Sequence, residues 1–319
     1  MILKKILSKG FYGIFLSLKQ KIINYTKIIF PNIFVFLKIK ESNFIANFKL
    51  EGETKIKIPR FSIFDFFFLN NEKNKSVTFF KSTDSHALLR RVLYDLFKIN
   101  YLDINKSIID IGSYIGDNSI VWSKFLKNSG KVFAIDPYDK NLEFSKMVAD
   151  INNISNIEFM EAAASDEVGK DLGYGGSLDH VTFEKEINQF QKIIKADTLD
   201  NLMKENINKI TLLHVDVEGS ELEVLKGAKK IIEKSKPTIT FEQHISNEKI
   251  SNVTEFIKSF GYQIFMINEV IPNCYRDCRN FIAFDQTKPL PIIQEFDQHN
   301  ARQLGIWSAT VGPSLIKVN

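Results

Sequence analysis

The sequence predicts an α/β fold: a Rossmann-like, doubly wound and mostly parallel sheet of seven strands with an antiparallel hairpin strand at its C-terminal end. Two observations predict it. After Ser107, short apolar runs alternate with segments of helical apolar spacing, and this alternation requires crossovers between parallel strands. The last two apolar runs, 262–267 and 280–284, are joined by a connection that holds Pro272 and no helical pattern. The final strand is therefore expected to run antiparallel to its neighbour.

A helix is expected before the sheet, over residues 84–99, because apolar side chains line one face: Leu88, Leu89, Val92, Leu96 and Ile99. His86 lies at the start of this helix, where a capping or solvated side chain is expected and a place at the mouth of a ligand site is the alternative. A later helix is predicted around residues with core spacing, which are Phe144, Met147, Val148 and Ile151.

The first predicted strand ends in a turn with two spaced glycines. The run 108–111 contains Asp110 and leads into Gly112, Gly116 follows four positions later, and Asp136 ends the next apolar run. A strand, a glycine turn, a helix and a strand that ends in a carboxylate are typical of a nucleoside site. The same pattern also occurs in α/β proteins that bind nothing at that turn.

The glycine spacing distinguishes between cofactors. A dinucleotide site uses Gly-x-Gly-x-x-Gly so that the backbone can approach a pyrophosphate, whereas three residues separate Gly112 from Gly116. Asp110 would repel a pyrophosphate but attract the ammonium group of a methionine moiety. We therefore expect S-adenosylmethionine (SAM) rather than NAD. In this interpretation Asp136 accepts hydrogen bonds from the ribose hydroxyls and the glycines leave room for the cofactor.

A second motif follows the predicted strand 210–215. Gly219 predicts a turn, and the apolar residues behind it recur at helical spacing: Val224, Leu225, Ala228, Ile231 and Ile232. Asp216 and Glu218 therefore lie where a strand meets a loop. The long glycine-containing connection 166–197 precedes this motif, and we interpret it as a candidate lid.

Five carboxylates fall at or near the carboxyl ends of predicted parallel strands, which form the ligand-binding edge of an open α/β sheet. They are Asp110, Asp136, Glu161, Asp216 and Glu242. Buried carboxylates on one edge are costly unless cations, hydrogen-bond donors or a metal compensate them. A sulfonium, an ammonium and ribose hydroxyls would satisfy several of them. Pairing with backbone amides explains any single one as well.

In these motifs the chain resembles the FkbM-like family of SAM-dependent methyltransferases. The resemblance rests on the segments 110–116, 134–137, 162–166, 198–202 and 216–225. It implies a class I methyltransferase fold and a set of cofactor-binding residues: Asp110, Gly112, Ser113, Gly116, Asp136, Pro137, Glu161 and Ala162. The family more often carries Glu-Pro where this chain has Asp136 and Pro137.

Methyl transfer is an in-line displacement at carbon, so an enzyme mainly positions an acceptor oxygen and removes its proton. Asp216 is the first candidate for the general base or for a divalent-metal ligand, and Glu218, Glu242 and His244 are neighbours able to complete either arrangement. The sequence leaves the metal question open, with Asp216 and Glu242 as possible ligands. His214 shares the face of Asp216 on the strand and is expected to be a core histidine.

The resemblance implies O-methylation of a hydroxyl group on a sugar, a glycan or a secondary-metabolite acceptor. Two other classes of function remain open. One is a non-catalytic SAM-binding module that serves in assembly, and the other is an NAD-dependent oxidoreductase, against which the glycine spacing argues.

Length and composition set the outer limits. With 319 residues and 44% hydrophobic content, the chain can build one catalytic domain plus extensions. We expect an N-terminal extension, basic and aromatic-rich, over 1–80, a methyltransferase domain over 81–286 and a tail over 287–319. The formal charge of +4 is too small and too dispersed for a nucleic-acid surface. Cys274 and Cys278 suit neither a redox pair nor a zinc site, which indicates free thiols in a reducing compartment.

The first 40 residues contain eight lysines and no acidic residue, and apolar residues fill the gaps. Their uncharged runs are shorter than the roughly 20 apolar residues of a spanning helix, and no secretory cleavage pattern follows them. We expect docking against the main domain or a second subunit, or else a surface helix on anionic lipid. The protein is accordingly expected in the cytoplasm, with peripheral contact to the inner membrane face as the further possibility, and its oligomeric state is open.

Overall fold

The computed structural model of the chain describes residues 46–49, 55–58, 86–127, 129–174, 181–182, 192–244, 249–268, 278–292 and 313–318. The chain divides into two compact units, Met1–Asn47 with Lys57–Lys81 and Phe48–Ile56 with Ser82–Asn319. The second unit holds the site. The predictions for the basic segment 1–40 and for Cys274 lie outside the described residues.

The described part of the chain contains seven helices, in the order α1 (Ala87–Lys98), α2 (Asp117–Ser123), α3 (Asp139–Ile151), α4 (Leu199–Leu202), α5 (Glu221–Lys226), α6 (Lys229–Ser235) and α7 (Lys249–Ser259). Its strands are β1 (Ala46–Lys49), β2 (Lys55–Ile58), β3 (Ser107–Ile111), β4 (Val132–Asp136), β5 (Ile157–Glu161), β6 (Ala163–Ala164), β7 (Asp171–Tyr174), β8 (Val181–Thr182), β9 (Lys192–Asp197), β10 (Ile210–Val215), β11 (Thr238–His244), β12 (Tyr262–Ile267), β13 (Cys278–Asp285) and β14 (Leu315–Lys317). None of these helices combines the length and the hydropathy needed to cross a membrane.

The main sheet has eight strands in the order β14-β12-β13-β11-β10-β3-β4-β5. The five strands from β11 to β5 are parallel, and β13 pairs antiparallel with both β11 and β12. The predicted fold class, with its C-terminal hairpin, is confirmed. The sheet has one strand more than predicted, because β14 adds to the free edge of β12 from the segment expected to be a tail. A three-residue strand is too short for its alternation to be read from the sequence.

The direction in which the sheet grows reverses beside β3. The chain adds β4 and β5 on one side of β3 and then crosses over to place β10 and β11 on the other side. In an open α/β sheet, ligands bind in the crevice outside the carboxyl ends of the strands at such a switch point. The glycine turn after β3 and the loop after β10 therefore border the same crevice.

The core lies around the central strands. Every residue of β3, β4 and β10 is buried, as expected for parallel strands covered by helices on both faces. Four of the five apolar residues predicted for the buried face of α1 are at most 1% exposed, whereas Ile99 is 49% exposed because α1 ends at Lys98. Met147 is also 49% exposed, since the buried face of α3 is centred on Ser145 and Val148.

The apolar residues predicted behind Gly219 are all buried, but they are divided between two helices: Val224 and Leu225 lie in α5, Ile231 and Ile232 in α6, and Ala228 between them. The break follows Gly227, where an added Cβ would lie 2.1 Å from the carbonyl oxygen of Ser165. The connection 166–197 contains strands of a small four-stranded sheet in the order β6-β9-β7-β8. Its residues 175–180 and 183–191 are outside the described part, and a lid there stays a prediction.

Candidate active site

The structure places all five predicted carboxylates at the carboxyl edge of the parallel strands. Asp110 lies near the end of β3, Asp136 and Glu161 are the last residues of β4 and β5, Asp216 directly follows β10, and Glu242 lies near the end of β11. Their placement follows from the apolar runs that end beside each of them. Their individual roles stay predictions.

The glycine turn after β3 is shaped by contacts within the protein. Gly112 and Gly116 have φ angles of 79° and 75°, which favour glycine. A Cβ on Gly112 would lie 1.7 Å from the carbonyl oxygen of Asp216, and one on Gly116 would lie 2.6 Å from the Ser145 Oγ. The sequence suggested that these glycines make room for a cofactor, and the structure adds a second reason, which is the close approach of the loop after β10.

Ser113 lies between these two glycines and is 3% exposed. Its Oγ has no hydrogen-bond partner among the described residues. A buried hydroxyl without a partner is unfavourable, and a ligand group that reached it would remove the cost. This orphaned atom fits a cofactor bound over the turn.

Asp136 fixes the turn to the end of β4. Its Oδ2 accepts a hydrogen bond from the backbone N–H of Tyr114 at 2.8 Å, and its Oδ1 accepts from the N–H of Tyr138 at 2.9 Å and from Asn141 Nδ2 at 3.2 Å. Backbone pairing, which was the alternative for any single carboxylate, is therefore present here. Contact of Asp136 with a ribose stays a prediction.

The remaining residues predicted to bind cofactor border this position. Pro137 is partly buried and follows Asp136 directly. Glu161 is exposed and lies in register with Asp136 on the neighbouring strand, and the Ala162 N–H donates to the Asp136 carbonyl oxygen at 3.3 Å. These residues line the same corner of the sheet edge.

Asp110 is 1% exposed and accepts a hydrogen bond from the Ser119 hydroxyl. Burial raises the pKa of Asp110 to about 7, and the carboxylates of Asp117 and Asp136 add to the shift, while Ser119 and His86 oppose it. A carboxyl with this pKa changes its charge near neutral pH, so a cation bound beside it would favour the ionised form.

A second group of side chains gathers where β10 and β11 end. One ligand atom from each of His86, Asp216 and Glu242 lies within 4.8 Å of the others, and within the described ranges this is the only such group able to hold a metal ion. Burial raises the pKa of Asp216 well above its ordinary value, and the carboxylates of Glu242 and Glu218 raise it further. Asp216, Glu218 and Glu242, three of the predicted catalytic residues, are thus electrostatically coupled.

The loop that carries Asp216 is held by its own residues. Glu218 has a φ angle of 53° and Gly219 one of 105°. The buried Glu221 accepts hydrogen bonds from the Gly219 N–H at 2.9 Å and from Gln243 Nε2 on β11. Burial raises the pKa of Glu221. This carboxylate ties the loop to the strand that carries Glu242.

His214 and His244 are the two histidines predicted near Asp216. His214 is 1% exposed, its Nδ1 lies 2.8 Å from the Thr240 Oγ1, and burial lowers its pKa to about 3. It is a neutral core histidine, as expected. His244 ends β11, and its side chain lies outside the described part of the chain.

The capping or solvated role predicted for His86 is wrong. His86 is 6% exposed and makes no side-chain cap hydrogen bond. Its Nδ1 lies 3.3 Å from Asn118 Nδ2 and 3.6 Å from Asp117 Oδ2. The side chain therefore faces the start of α2 and the acidic group. The alternative, a place at the mouth of a ligand site, stays a prediction.

Sequence reasoning missed Arg90, which is 1% exposed. Its Nη2 donates to Asp117 Oδ2 at 2.8 Å and its Nε donates to Asn118 Oδ1 at 2.9 Å. The available signal was the spacing of four between His86 and Arg90, which puts both on one helix face. Their partners on α2 follow the glycine turn, a connection that only the folded chain reveals.

The middle of the chain matches a known protein family. The family model described as "Methyltransferase FkbM domain" matches residues 110–264, from the carboxylate of β3 to the middle of β12. This segment is an FkbM methyltransferase domain. The FkbM family is a family of SAM-dependent methyltransferases, so the resemblance drawn from the motifs is confirmed.

The FkbM domain is also similar to solved structures. Methyltransferase FkbM from Methylobacillus flagellatus KT is 18% identical, with 82% of this chain and 60% of that chain covered and a TM-score of 0.44. Precorrin-6y C5,15-methyltransferase from Geobacter metallireducens GS-15 is 13% identical, with 61% and 88% covered and a TM-score of 0.41. An rRNA methylase from Streptococcus thermophilus is 12% identical, with 61% and 95% covered and a TM-score of 0.40. No curated protein matches the chain.

The matched segment does not include the whole site. His86 and Arg90 lie on the N-terminal side of the FkbM domain, and β14 lies on its C-terminal side. The acidic group at the ends of β10 and β11 is therefore completed by His86, which lies outside the matched residues.

Proposed function

We propose that the protein is a SAM-dependent O-methyltransferase that acts on a hydroxyl group of a sugar, glycan or secondary-metabolite acceptor. The observation that carries the proposal is the contact between Gly112 and the carbonyl oxygen of Asp216. It brings the turn expected to hold the cofactor against the loop expected to act on the acceptor.

Residues on the β3 and β4 side would hold the cofactor. Ser113 offers a buried hydroxyl, Asp110 offers a carboxylate that a cation would ionise, and Asp136 stands where ribose hydroxyls are expected. Bound SAM supplies a methyl group on an electrophilic sulfonium. The chain itself has to hold the acceptor oxygen in line with that group and to exclude competing water.

Residues on the β10 and β11 side would act on the acceptor. A raised pKa makes a carboxylate a stronger base, and burial beside Glu242 and Glu218 raises the pKa of Asp216. Asp216 takes part in the loss of the acceptor proton, either as a base or as a metal ligand. Glu218 and Glu242 stay its candidate partners.

The first experiment is calorimetric titration of the purified protein with S-adenosylhomocysteine (SAH) and, separately, with NADH. We expect SAH to bind and NADH to give no heat beyond dilution. NADH binding without SAH binding would contradict the proposal and support an oxidoreductase.

Turnover separates an enzyme from an idle binding module. Asp216→Asn keeps the size of the side chain and is expected to leave SAH affinity within about threefold while methyl transfer falls by 10²-fold or more, the range of a lost acid–base group. The readout is transfer of labelled methyl from SAM to a panel of hydroxylated acceptors. Unchanged turnover in Asp216→Asn would remove this residue from the mechanism.

We further propose that the protein works in the cytoplasm and that its lysine-rich residues 1–40 contact anionic lipid, where a lipid-linked glycan would be a fitting acceptor. The support is the composition alone, eight lysines without an acidic residue. Deletion of residues 1–40 is expected to abolish co-sedimentation with anionic liposomes. Equal co-sedimentation of both forms would contradict lipid contact.

A further inference from the structure

We propose that His86, Asp216 and Glu242 bind a divalent metal ion of the Mn²⁺ class at the acceptor side of the crevice. The inference deepens the proposed function, because the role of the ion in methyl transfer rests on that function. Binding of the ion does not rest on it and can be measured separately.

The distances suit a metal centre. One ligand atom from each of the three side chains lies within 4.8 Å of the others. Around an ion with bonds of about 2.0–2.2 Å, neighbouring ligand atoms lie about 3–4 Å apart. Inward shifts of less than about 1 Å would therefore complete the coordination. Rotamer adjustment of the two carboxylates can supply such shifts.

The ligands come from three separate elements, which gives the centre a rigid frame. His86 precedes α1, Asp216 follows β10, and Glu242 lies in β11. The parallel pairing of β10 with β11 sets the two carboxylates side by side. The hydrogen bonds of Glu221 to Gly219 and Gln243 hold the Asp216 loop against β11.

The ring of His86 is oriented by partners beyond the cluster. A guanidinium only donates hydrogen bonds, so the Asn118 side chain presents its Oδ1 to Arg90. This places the Asn118 Nδ2 beside His86 Nδ1. Asp117 Oδ2, which Arg90 also holds, lies 3.6 Å from the same Nδ1. A metal-binding histidine usually donates one ring N–H to a carboxylate and binds the ion with the other nitrogen. Without metal, His86 Nδ1 faces the Asn118 amide donor, so the ring proton is on Nε2. Binding of an ion by Nε2 would move this proton to Nδ1, where Asp117 Oδ2 is the acceptor within reach.

Carboxyl groups dominate the surroundings of Asp216. Arg90 is paired with Asp117 at 2.8 Å, so its charge is compensated. Asp216 and Glu242 are then two coupled carboxylates at the end of a mostly buried sheet, with Glu218 as a third nearby. A divalent cation between Asp216 and Glu242 would be attracted to both carboxyl groups at once.

The ligand set indicates which ion fits. Carboxylates and water suit Mg²⁺, Ca²⁺ and Mn²⁺, whereas imidazole suits the transition metals. Two carboxylates and one imidazole therefore favour Mn²⁺ over Mg²⁺, and the majority of oxygen ligands favours it over Zn²⁺.

The ion would lie beside the glycine turn, where the acceptor hydroxyl has to meet the methyl group. A bound cation polarises such a hydroxyl and lowers its pKa, so its proton passes to solvent. The oxygen then forms a bond to the methyl carbon as the carbon–sulfur bond breaks and the sulfonium becomes a thioether. Asp216 acts in this scheme as a ligand.

The test is titration of the metal-stripped full chain with MnCl₂ by calorimetry and by loss of the free Mn²⁺ electron paramagnetic resonance signal. We expect one ion per chain. Glu242→Gln removes one charged ligand and should weaken Mn²⁺ binding by about 10–100-fold, and His86→Gln should act similarly. Glu158→Gln is the matched control, because Glu158 is an exposed carboxylate on β5 paired with Lys131 at 3.3 Å.

No Mn²⁺ binding by the unaltered chain would overturn the inference, as would equal weakening in Glu242→Gln and Glu158→Gln. Should Glu242→Gln fail to give a folded protein by circular dichroism, His86→Gln decides the question. An SAH titration of the same sample keeps the two proposals apart. SAH binding without Mn²⁺ binding rejects only the metal, and Mn²⁺ binding without SAH binding rejects only the methyltransferase proposal.

Discussion

Gly112 is the residue with the least freedom in the described site. Its φ angle of 79° favours glycine, and its Cα faces the carbonyl oxygen of Asp216. The Asp216 N–H also donates to the Ile111 carbonyl oxygen at 3.0 Å. Two backbone contacts therefore set the position of Asp216 relative to the turn.

Gly112→Ala is expected to lower the free energy of unfolding by about 2–5 kcal/mol, the sum of a left-handed backbone penalty and overpacking. Gly261→Ala is the matched control, since Gly261 has a φ angle of 80° and no described atom within 4 Å of an added Cβ. The control should lose only about 1–2 kcal/mol. Urea unfolding of both variants measures the difference, and equal losses would mean that the contact with Asp216 carries no constraint.

Asp110 gives the fold a dependence on pH. Its pKa rises from 3.8 to about 7 because of burial, so between these values the folded chain binds more protons than the unfolded chain. The free energy of unfolding therefore falls as pH rises from about 4 to about 7, by a few kcal/mol in total. Asp117, His86 and Asp136 are the titratable groups that act on it, and their contributions are included in this shift.

Asp110→Asn should remove the fall in the free energy of unfolding between about pH 4 and pH 7. The measurement is the free energy of unfolding of both proteins by urea at pH 5, 6, 7 and 8, without cofactor. We expect the free energy of unfolding of the variant to rise relative to that of the unaltered chain with each step up to pH 7. Above pH 7 the difference between the two proteins should change little. A constant difference across the series would show that Asp110 is ionised in the folded chain throughout.

At the scale of elements, Arg90 joins α1 to α2. Its guanidinium bonds to both Asp117 and Asn118, with only 1% of its side chain exposed. Removing Arg90 would take from the buried Asp117 carboxylate its charged partner at 2.8 Å. The start of α2 and the orientation of His86 both depend on this contact.

Arg90→Met should lower the free energy of unfolding by about 3–5 kcal/mol, and adding Asp117→Asn should recover much of it because the stranded charge is gone. Lys131→Met is the control, since Lys131 and Glu158 form an exposed pair, worth less than about 1 kcal/mol. Thermal and urea unfolding measure all three. A double variant no more stable than Arg90→Met would show that packing, not charge, is the cause.

Elements bounded by clear breaks were predictable from the sequence. The strands 210–215 and 262–267 have the bounds that their apolar runs predicted, because a charged or glycine residue lies at or near their ends. The carboxylates at the sheet edge were predictable for the same reason. The pairing of Arg90 with Asp117 was not, because the two residues lie 27 positions apart and meet only in the folded chain.

The whole sheet depends on how its edges are covered. β14 covers β12 at one end, through the register pairs of Phe265 with Lys317 and Met266 with Ile316. The Val318 N–H also donates to the Ile264 carbonyl oxygen at 2.9 Å. An uncovered edge strand presents free backbone groups and promotes association between chains.

Deleting residues 313–319 should lower the midpoint of thermal unfolding by about 2–6 °C and increase aggregation, measured by calorimetry and light scattering. Ile316→Thr is the control, because it keeps the backbone pairing and a β-branched side chain at a position that is 40% exposed. Equal light scattering from the truncated and intact chains would show that β14 does not protect the sheet edge.

The close contact between Gly112 and Asp216 bears on how chains of this fold can be recombined. No side chain lies between the two backbones, so neither segment can absorb a change in the other by adopting a new rotamer. A chimera whose crossover falls between residues 116 and 210 takes the turn at Gly112 from one parent and the loop at Asp216 from the other. The two backbones then need not be complementary at this contact. Crossovers before 110 or beyond 244 preserve the pair, and in this fold residues 110–244 should be inherited as one block.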